Sequence, residues 1–475
     1  MSNTSNAGTR ISSLLDENSF VEIGALVRAR ATDFNLNPKA ADSDGVITGY
    51  GLINDRVVYV YSQDPSVLAG SVGEMHAKKI LRLYDLAMKA GAPVIGLIDS
   101  AGLRLQEGAD ALDAFGKIYK AMSDASGVIP QITAVFGECG GGLAVLSAMS
   151  DIMVMEKGAK VFVNSPNALS GNYEAKKDTA SSDFVSSETG ICDLVCDEAS
   201  IYDALRKVVG LLPDNNEDSA SYDECDDDLN RETDDFADCI TDASVALARI
   251  ADDQDFTELK AGYARQMVTG LLKLNGLTVG AVANRTAVFS DDGKESEKFD
   301  PAITAEGAEK AADFVEFCDA FNIPVLTLVN ASGFEATTES EKKMAKAVAK
   351  LTYSFANATV PKVNLITGKA FGSAYVAMNS SGLGADLTLA LKGASVGMMD
   401  ASLAAKIMYA SEDASVQKEK ASEYDKLQNS VDSAAARGYV DQIIDGADAR
   451  KYLIAAFEML YSKREDRPYK KHGTV

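Results

Sequence analysis

The chain has 475 residues, 46% of them hydrophobic and 24% charged, which is typical of a globular protein large enough for two domains. Its net charge of −24 at pH 7 disfavours binding to nucleic acids or anionic membranes. No apolar run reaches the roughly 18–20 residues that a membrane-spanning helix needs, and the polar N-terminus carries no secretory signal, so we expect a soluble, cytoplasmic protein.

The predicted elements occur twice, in the same order, because Ala92–Gly102 matches Ile323–Gly333 at an offset of 231 residues. Each copy reads as a β-hairpin, a helix, an apolar strand ending in Asp99 or Asn330, a further helix and a second apolar strand. The segments are, for the hairpins, Val57–Tyr61 and Leu277–Val282; for the first helices, Glu74–Ala90 and Ala305–Phe321; for the second strands, Gln131–Phe136 and Lys362–Ile366. Alternating strands and helices predict an α/β fold with a largely parallel sheet in each copy.

An acidic stretch separates the two copies. Acidic residues dominate between Leu211 and Ile240, and Pro213 stands near the start of this stretch. We interpret residues 213–240 as an exposed linker between an N-terminal domain of residues 1–212 and a C-terminal domain of residues 241–475.

A glycine cluster follows the second strand in each copy. The clusters are Gly137–Ala144, with the sequence GECGGGLA, and Gly368–Tyr375, with the sequence GKAFGSAY. Glycine lets a ligand oxygen approach backbone N–H groups, and one such donor to a developing oxyanion contributes roughly 3 kcal/mol. The turns after Asp99 and Asn330 can add a donor, since adjacent parallel strands end on the same side of a sheet. Tight packing alone also explains glycines at such turns, and this alternative stays open.

Most common catalytic groups are missing. Only two histidines are present, His76 and His472, which argues against a Ser-His-Asp triad or a histidine-rich metal site. The six cysteines lack CxxC spacing, so no metal site is predicted, and there is no GxxxxGK[ST] loop for phosphate.

Segments along nearly the whole chain resemble the biotin-dependent acyl-CoA carboxyltransferase subunits, the family of propionyl-CoA carboxylase β subunits and methylmalonyl-CoA carboxyltransferases. These segments are Gly70–Ile80, Leu86–Ile95, Arg104–Gly108, Ser126–Gln131, Cys318–Leu326, Ala358–Pro361, Gly368–Tyr375 and Lys463–Gly473. The resemblance implies two tandem crotonase-like domains of the ClpP/crotonase superfamily, built of ββα repeats. It also implies a homo-oligomer, usually a hexamer, with the active site across a dimer interface.

The resemblance gives the first glycine cluster the thioester side of the reaction. Gly141 and Gly142 become donors to the thioester oxygen of an acyl-CoA, and Ala101 and Gly102 become substrate-binding residues beside them. The implied mechanism holds the thioester enolate there while biotin accepts the α-proton and carboxybiotin supplies CO2. No side-chain base is required, which agrees with the scarcity of histidine.

The second cluster is implied to bind the ureido oxygen of biotin. Its candidate donors are Gly372, Ser373 and Ala374, with Gly333, Tyr375 and Val376 as substrate-binding residues. Val376 follows the tyrosine at a position that lines the acyl pocket in this family, which suggests a small apolar acyl group; an ordinary core position is the alternative. Ser373 replaces the more usual glycine but keeps its N–H.

The family also implies partners. The chain contains no biotin carboxylase or biotin-carrier segment, so a biotin carboxyl carrier protein and a biotin carboxylase or decarboxylase subunit are expected. Lys89 stands in a sequence that superficially resembles a biotinylation site, but it lies on a predicted helix. No structural zinc is expected, because the cysteine-rich ribbon of some relatives is missing.

One region departs from the family. Val163–Asn172 and Ser186–Cys192 stand where a threonine-glycine-proline stretch and a glycine- and histidine-containing segment are common. The identity of the acyl group and the direction of reaction therefore stay open. Two alternatives remain: a non-catalytic scaffold, and a crotonase-type CoA hydratase or isomerase that would use Glu107 and Glu138.

Overall fold

A computed structural model describes residues 6–30, 43–218, 223–290 and 293–465. The chain divides into two compact units, Met1–Ser219 and Ala220–Val475. Each unit contains one eight-stranded sheet, and the C-terminal unit adds two small two-stranded sheets. The tandem α/β architecture predicted from the sequence and from the crotonase-like resemblance is therefore confirmed.

The N-terminal unit contains eight strands and seven α-helices among its described residues. The strands are β1 (Val21–Glu22), β2 (Val46–Ile53), β3 (Arg56–Gln63), β4 (Val94–Ser100), β5 (Gln131–Gly140), β6 (Ile152–Glu156), β7 (Lys160–Phe162) and β8 (Leu194–Cys196). The helices are α1 (Asn6–Leu14), α2 (Glu74–Ala90), α3 (Ala109–Ala125), α4 (Gly142–Ala148), α5 (Asn172–Ala175), α6 (Ser182–Phe184) and α7 (Ile201–Leu211).

Strand order in the N-terminal sheet is β1-β2-β3-β4-β5-β6-β8, with β7 beside β5. The first three strands are antiparallel and the others parallel. The β2–β3 hairpin closes on Asn54 and Asp55, whose φ values of 50° and 65° suit a two-residue turn of the left-handed type. Helices α2 and α3 pack on this sheet through a core that includes Ile80, Ile98 and Phe115.

The C-terminal unit repeats this design. Its strands are β9 (Phe256–Leu259), β10 (Met267–Leu274), β11 (Leu277–Asn284), β12 (Ala287–Phe289), β13 (Glu295–Lys298), β14 (Ala302–Ile303), β15 (Val325–Ala331), β16 (Gly333–Phe334), β17 (Lys362–Phe371), β18 (Leu387–Leu391), β19 (Ser395–Gly397) and β20 (Gln442–Ile444). Its helices are α8 (Phe236–Cys239), α9 (Ala243–Ile250), α10 (Ala305–Ala320), α11 (Thr338–Asn357), α12 (Gly372–Ala377), α13 (Ala401–Met408), α14 (Ala414–Tyr424), α15 (Val431–Ala436) and α16 (Ala449–Leu460).

The duplication extends to the register of the strands. The main sheet runs β20-β18-β17-β15-β11-β10-β9, with β19 beside β17. The ladder shifts between Ile98 and Ser100 in one unit and between Val329 and Ala331 in the other, the same place at the offset of 231. The two strand ends that carry the candidate donors are thus bent in the same way.

Both second strands are longer than predicted. They were expected to end at Phe136 and Ile366 but continue to Gly140 and Phe371. The first part of β5 pairs with β6 and its last residues pair with β7. In the same way, the first part of β17 pairs with β18 and its last residues pair with β19. The first glycines of each cluster therefore lie in a strand rather than in a turn.

The exposed linker predicted over residues 213–240 is only partly exposed. The unit boundary falls inside it, but Phe236 is fully buried and Thr233 is 2% exposed. The Thr233 hydroxyl donates to Gly446 O at 2.9 Å. The second half of the segment therefore belongs to the C-terminal unit, because its apolar and hydroxyl side chains find partners there despite the surrounding acidic residues.

Within the described parts of the chain, no helix is both long and apolar enough to span a bilayer.

Candidate functional site

The strand-end turn and the glycine cluster of the N-terminal unit lie side by side. Ser100 on β4 pairs with Cys139 on β5. Gly102 has a φ of 101°, and a Cβ atom there would lie 3.3 Å from Gly140 O. The two segments that were expected to supply donors to one ligand therefore come together.

The first glycine of each cluster serves packing. A Cβ on Gly137 would lie 2.1 Å from Asp99 Oδ1, and a Cβ on Gly368 would lie 2.5 Å from Asn330 Oδ1. In the C-terminal unit, Lys369 N–H also donates to Asn330 Oδ1 at 3.1 Å. The packing explanation thus holds for these two positions.

The amide of Gly141, predicted as a donor to the thioester oxygen, already has a backbone partner. Its φ of 62° lies in the left-handed region, and no atom lies within 4 Å of a Cβ placed there. Its N–H, however, donates to Phe162 O at 2.8 Å, so in this conformation that donor is already used. A ligand oxygen would have to replace Phe162 O to accept from this amide.

Gly142, the second predicted donor, lies at the start of a helix. It opens α4, where the first N–H groups have no intrahelical carbonyl. A Cβ on Gly142 would lie 2.7 Å from Tyr119 Oη and 2.8 Å from Phe115, and the Tyr119 hydroxyl donates to Gly142 O at 2.7 Å. Absence of a side chain here lets the backbone sit against α3 with its amide available.

The strand-end amides differ from each other. Ala101 N–H donates to Ala69 O at 3.0 Å and is committed to the backbone. Gly102 N–H donates to Ser100 Oγ at 3.1 Å. A hydroxyl oxygen that rotates with its side chain is easily replaced by a ligand oxygen. Gly102, rather than Ala101, is thus suited to join Gly142.

The C-terminal unit offers the corresponding group of residues. Helix α12 contacts β16, which begins at Gly333. Gly372 has a φ of 59°, and its Cβ position lies 3.1 Å from Met398 O. Ser373 is exposed, whereas Ala374 is 1% exposed. Of the three candidate donors, Ser373 is therefore the most exposed residue.

Tyr375 and Val376 follow on α12. Burial raises the pKa of Tyr375 to about 12, so its phenol stays neutral. Val376 is 48% exposed and is therefore not a core residue. Its counterpart at the offset of 231 is Val145, which is 41% exposed on α4.

The environment of His76 argues against a role as a general base. Its ring is fully buried, with Nδ1 3.1 Å from Asp44 O and Nε2 3.3 Å from Gln63 Nε2. Burial first, and then the charge of Arg104, lowers its pKa to about 3. The other histidine, His472, lies outside the described residues.

Sequence inspection missed a buried ionic cluster next to the strand-end turn. Arg104 Nη1 donates to Glu107 Oε1 at 2.9 Å, and both side chains are 0% exposed. Arg104 Nη2 also donates to Asp44 O at 2.9 Å and to Ser71 O at 2.6 Å. The i, i+3 spacing of an arginine and a glutamate was visible, but only burial distinguishes this pair from a surface pair.

The cluster weakens the hydratase alternative. Glu107 is committed to Arg104 and also accepts from Glu74 N–H at 2.6 Å, while Glu138 is exposed on β5. The two glutamates thus occupy different environments, and one is neutralised by a buried cation. Lys89 lies on α2 as predicted and pairs with Asp85 at 2.7 Å.

Three residues of the departing region, Val163, Thr189 and Ile191, line a cavity. Its volume is about 380 Å³, and it lies against α4 and β7. The lining residues are Ala144, Val145, Ala148, Val161, Phe162, Val163, Thr179, Val185, Thr189 and Ile191. Half of them come from residues 163–191, so the sequence departure affects a surface close to Gly142.

Known proteins match this chain along its whole length. The carboxyl transferase domain profile matches residues 4–475. The methylmalonyl-CoA decarboxylase subunit alpha of Propionigenium modestum is 36% identical, over 99% of this chain and 92% of that protein. The propionyl-CoA carboxylase beta chain of Roseobacter denitrificans is 36% identical, over 99% of this chain and 93% of that protein.

A solved structure agrees with these relatives. The transcarboxylase 12S crystal structure, a hexamer with methylmalonyl-coenzyme A and methylmalonic acid bound, superposes with a TM-score of 0.91. The two sequences are 35% identical, and the match covers 98% of this chain and 92% of the transcarboxylase chain. With its duplicated glycine sites and these full-length matches, the chain belongs to the carboxyl transferase family.

Proposed function

We propose that this protein is the carboxyltransferase component of a biotin-dependent acyl-CoA carboxylase, transcarboxylase or decarboxylase. It moves CO2 between carboxybiotin and the α-carbon of a short-chain acyl-CoA. The observation that carries the proposal is that Gly102 lies beside the glycine cluster, 3.3 Å from Gly140 O at its Cβ position, directly before Gly142 opens α4, in a chain that belongs to the carboxyl transferase family.

The N-terminal unit would bind the thioester. Its oxygen would accept hydrogen bonds from Gly142 N–H and from Gly102 N–H, the latter released by Ser100. Backbone donors held in place by strands and a helix need no reorganisation as charge develops on the oxygen. The enolate is thereby stabilised, and neither His76 nor Glu107 is required as a base.

The C-terminal unit would bind biotin, delivered on a carrier protein. Carboxybiotin, when bound here, would supply the CO2, and the biotin left after its release would accept the α-proton. Gly372 turns the backbone, and the exposed Ser373 presents its N–H to the ureido oxygen; Gly333 stands where Gly102 stands in the other unit. The neutral phenol of Tyr375 adds no charge to this side.

The acyl group is proposed to be small and apolar. Val376 presents an apolar side chain that is 48% exposed, so a ligand can reach it. Relatives named for propionyl-CoA and methylmalonyl-CoA fit this chemistry. The same donors stabilise the enolate in either direction, so carboxylation and decarboxylation use the same residues.

We also propose that the protein is a homo-oligomer that works with a biotin carboxyl carrier protein and a biotin carboxylase or decarboxylase subunit. Helix α13 presents Leu403, Ile407 and Met408 to solvent at 51%, 62% and 53% exposure. An apolar helix face of this size is typical of a surface covered by another chain. Analytical ultracentrifugation of the purified protein should give a mass several times that of one chain.

The function is tested with purified protein, free biotin and malonyl-CoA or methylmalonyl-CoA, by following decarboxylation or carboxyl exchange. Gly142→Pro removes the donor, whereas Gly142→Ala adds a similar Cβ but keeps the N–H. We expect the proline variant to be about 100-fold slower than the alanine variant.

Equal rates for the two Gly142 variants would remove this amide from the mechanism. Absence of turnover with every short malonyl-type thioester, although CoA binds, would leave the scaffold alternative.

A further inference from the structure

We infer that the cavity between α4, β7 and residues 163–191 binds the apolar acyl chain of the CoA thioester and selects its length. This inference rests on the proposed function, because it assumes that the thioester oxygen is held at Gly142. The cavity belongs to the N-terminal unit, whereas Val376 belongs to the C-terminal unit.

The walls of the cavity are apolar. Ala144, Val161 and Val185 form its buried side, with exposures of 4%, 3% and 2%. Val145 and Val163 are 41% and 61% exposed and also line the space. Exposure of these valine side chains to water is unfavourable. An apolar ligand in this cavity of about 380 Å³ would cover them and remove that cost.

Two polar groups at the cavity are already engaged in hydrogen bonds. The Thr189 hydroxyl donates to Val185 O at 2.7 Å, and Phe162 O accepts from Gly141 N–H at 2.8 Å. A polar ligand would thus find no free hydrogen-bond partner in these groups, whereas an alkyl chain needs none.

The cavity begins beside the proposed thioester site. Ala144 follows Gly142 by two residues on α4, and Phe162 holds the amide of Gly141. A thioester whose oxygen rests on Gly142 therefore has an apolar space within one helical turn. The phosphates of CoA, by contrast, have no favourable contact with such walls.

The C-terminal unit places an asparagine beside the corresponding strand pair. Gly397 pairs with Phe371 as Phe162 pairs with Gly140, and a Cβ on Gly397 would lie 2.1 Å from Asn429 Oδ1. Asn429 ends a single π-helical turn, Asp425–Asn429, just as Thr189 ends Val185–Thr189. At this place the C-terminal unit therefore carries a buried polar side chain, whereas the N-terminal unit carries apolar cavity walls.

Titration calorimetry of the full-length protein with CoA and with acetyl-, propionyl-, butyryl- and hexanoyl-CoA tests the inference. Each added methylene that enters the cavity should tighten binding roughly fourfold, the change that corresponds to about 0.8 kcal/mol. Ala148→Phe places a ring in the cavity from an exposed position of α4. It should abolish the dependence on chain length and leave the Kd of CoA unchanged.

Ala90→Phe is the matched control, because Ala90 is exposed at the end of α2 and does not line the cavity. Its chain-length series should match the unmodified protein. If Ala148→Phe weakens CoA and every thioester equally, the cavity holds the pantetheine arm and the inference is wrong. Tight but length-independent binding of thioesters overturns the inference and leaves the proposed function intact. Failure to bind any CoA compound overturns both.

Discussion

Removing Glu107 should destabilise the N-terminal unit strongly, although Glu107 is not proposed to touch a substrate. Its carboxylate neutralises the fully buried guanidinium of Arg104 at 2.9 Å and accepts Glu74 N–H at the start of α2. Glu107→Ala therefore leaves a buried cation without its counter-charge and an amide without its acceptor. The same change loosens the turn that carries Gly102, because Arg104 follows this turn and is held in part by Glu107.

The expected loss is large for one substitution. Breaking a buried ion pair by removing one partner costs about 3–5 kcal/mol, and the lost hydrogen bond to Glu74 adds about 1 kcal/mol. Replacing both members, as in Arg104→Met with Glu107→Met, should recover part of the loss. Recovery should be incomplete, since Arg104 also donates to the carbonyls of Asp44 and Ser71.

Urea unfolding followed by far-ultraviolet circular dichroism measures this loss, because the chain contains no tryptophan. Glu138→Ala, at an exposed glutamate on β5, is the control and should change the free energy of unfolding by less than about 0.5 kcal/mol. A loss of unfolding free energy below about 1 kcal/mol for Glu107→Ala would refute the reasoning that water is excluded from the Arg104–Glu107 pair and that each charge needs the other.

Three further outcomes are expected. Because burial lowers the pKa of His76 from 6.5 to about 3, the unfolded state takes up this proton first. The free energy of unfolding should fall as pH drops from about 6.5 toward 3, by up to about 1.4 kcal/mol per pH unit. Urea unfolding at pH 7.5 and at pH 5 measures this fall, which should be smaller for His76→Gln. Gly137→Ala should lower the Tm more than Gly141→Ala, because its Cβ would lie 2.1 Å from Asp99 Oδ1, whereas a Cβ on Gly141 meets no atom within 4 Å and costs about 1–3 kcal/mol of backbone strain. Equal Tm values would contradict this. Ser373→Pro should slow turnover with free biotin about 100-fold relative to Ser373→Ala, which keeps the N–H; equal initial rates would remove that amide from the biotin side.

Local sequence patterns predicted the elements well. Helix α2 has the predicted bounds, Glu74–Ala90, and ends at Gly91, whose φ is 64°. The predicted strands begin at Gln131 and Lys362 as expected, because apolar runs after a proline mark the entry into a buried parallel strand. Their ends were not predicted, since pairing with β7 and β19 depends on strands that come later in the chain.

The sequence by itself determined the two-copy α/β architecture, the places of the glycine clusters and the family. Hydrophobic periodicity, turn residues and an internal repeat are properties of neighbouring residues, so they can be read along the chain. Only the tertiary structure decided which amides remain available: Gly141 gives its N–H to Phe162, while Gly142 keeps its own at the start of α4. It also decided that Arg104 and Glu107 are buried together and that α4, β7 and part of residues 163–191 line one cavity. A hydrogen-bond partner or a packing void is set by groups that are distant in sequence, and their positions are fixed only when the sheet and its helices have assembled.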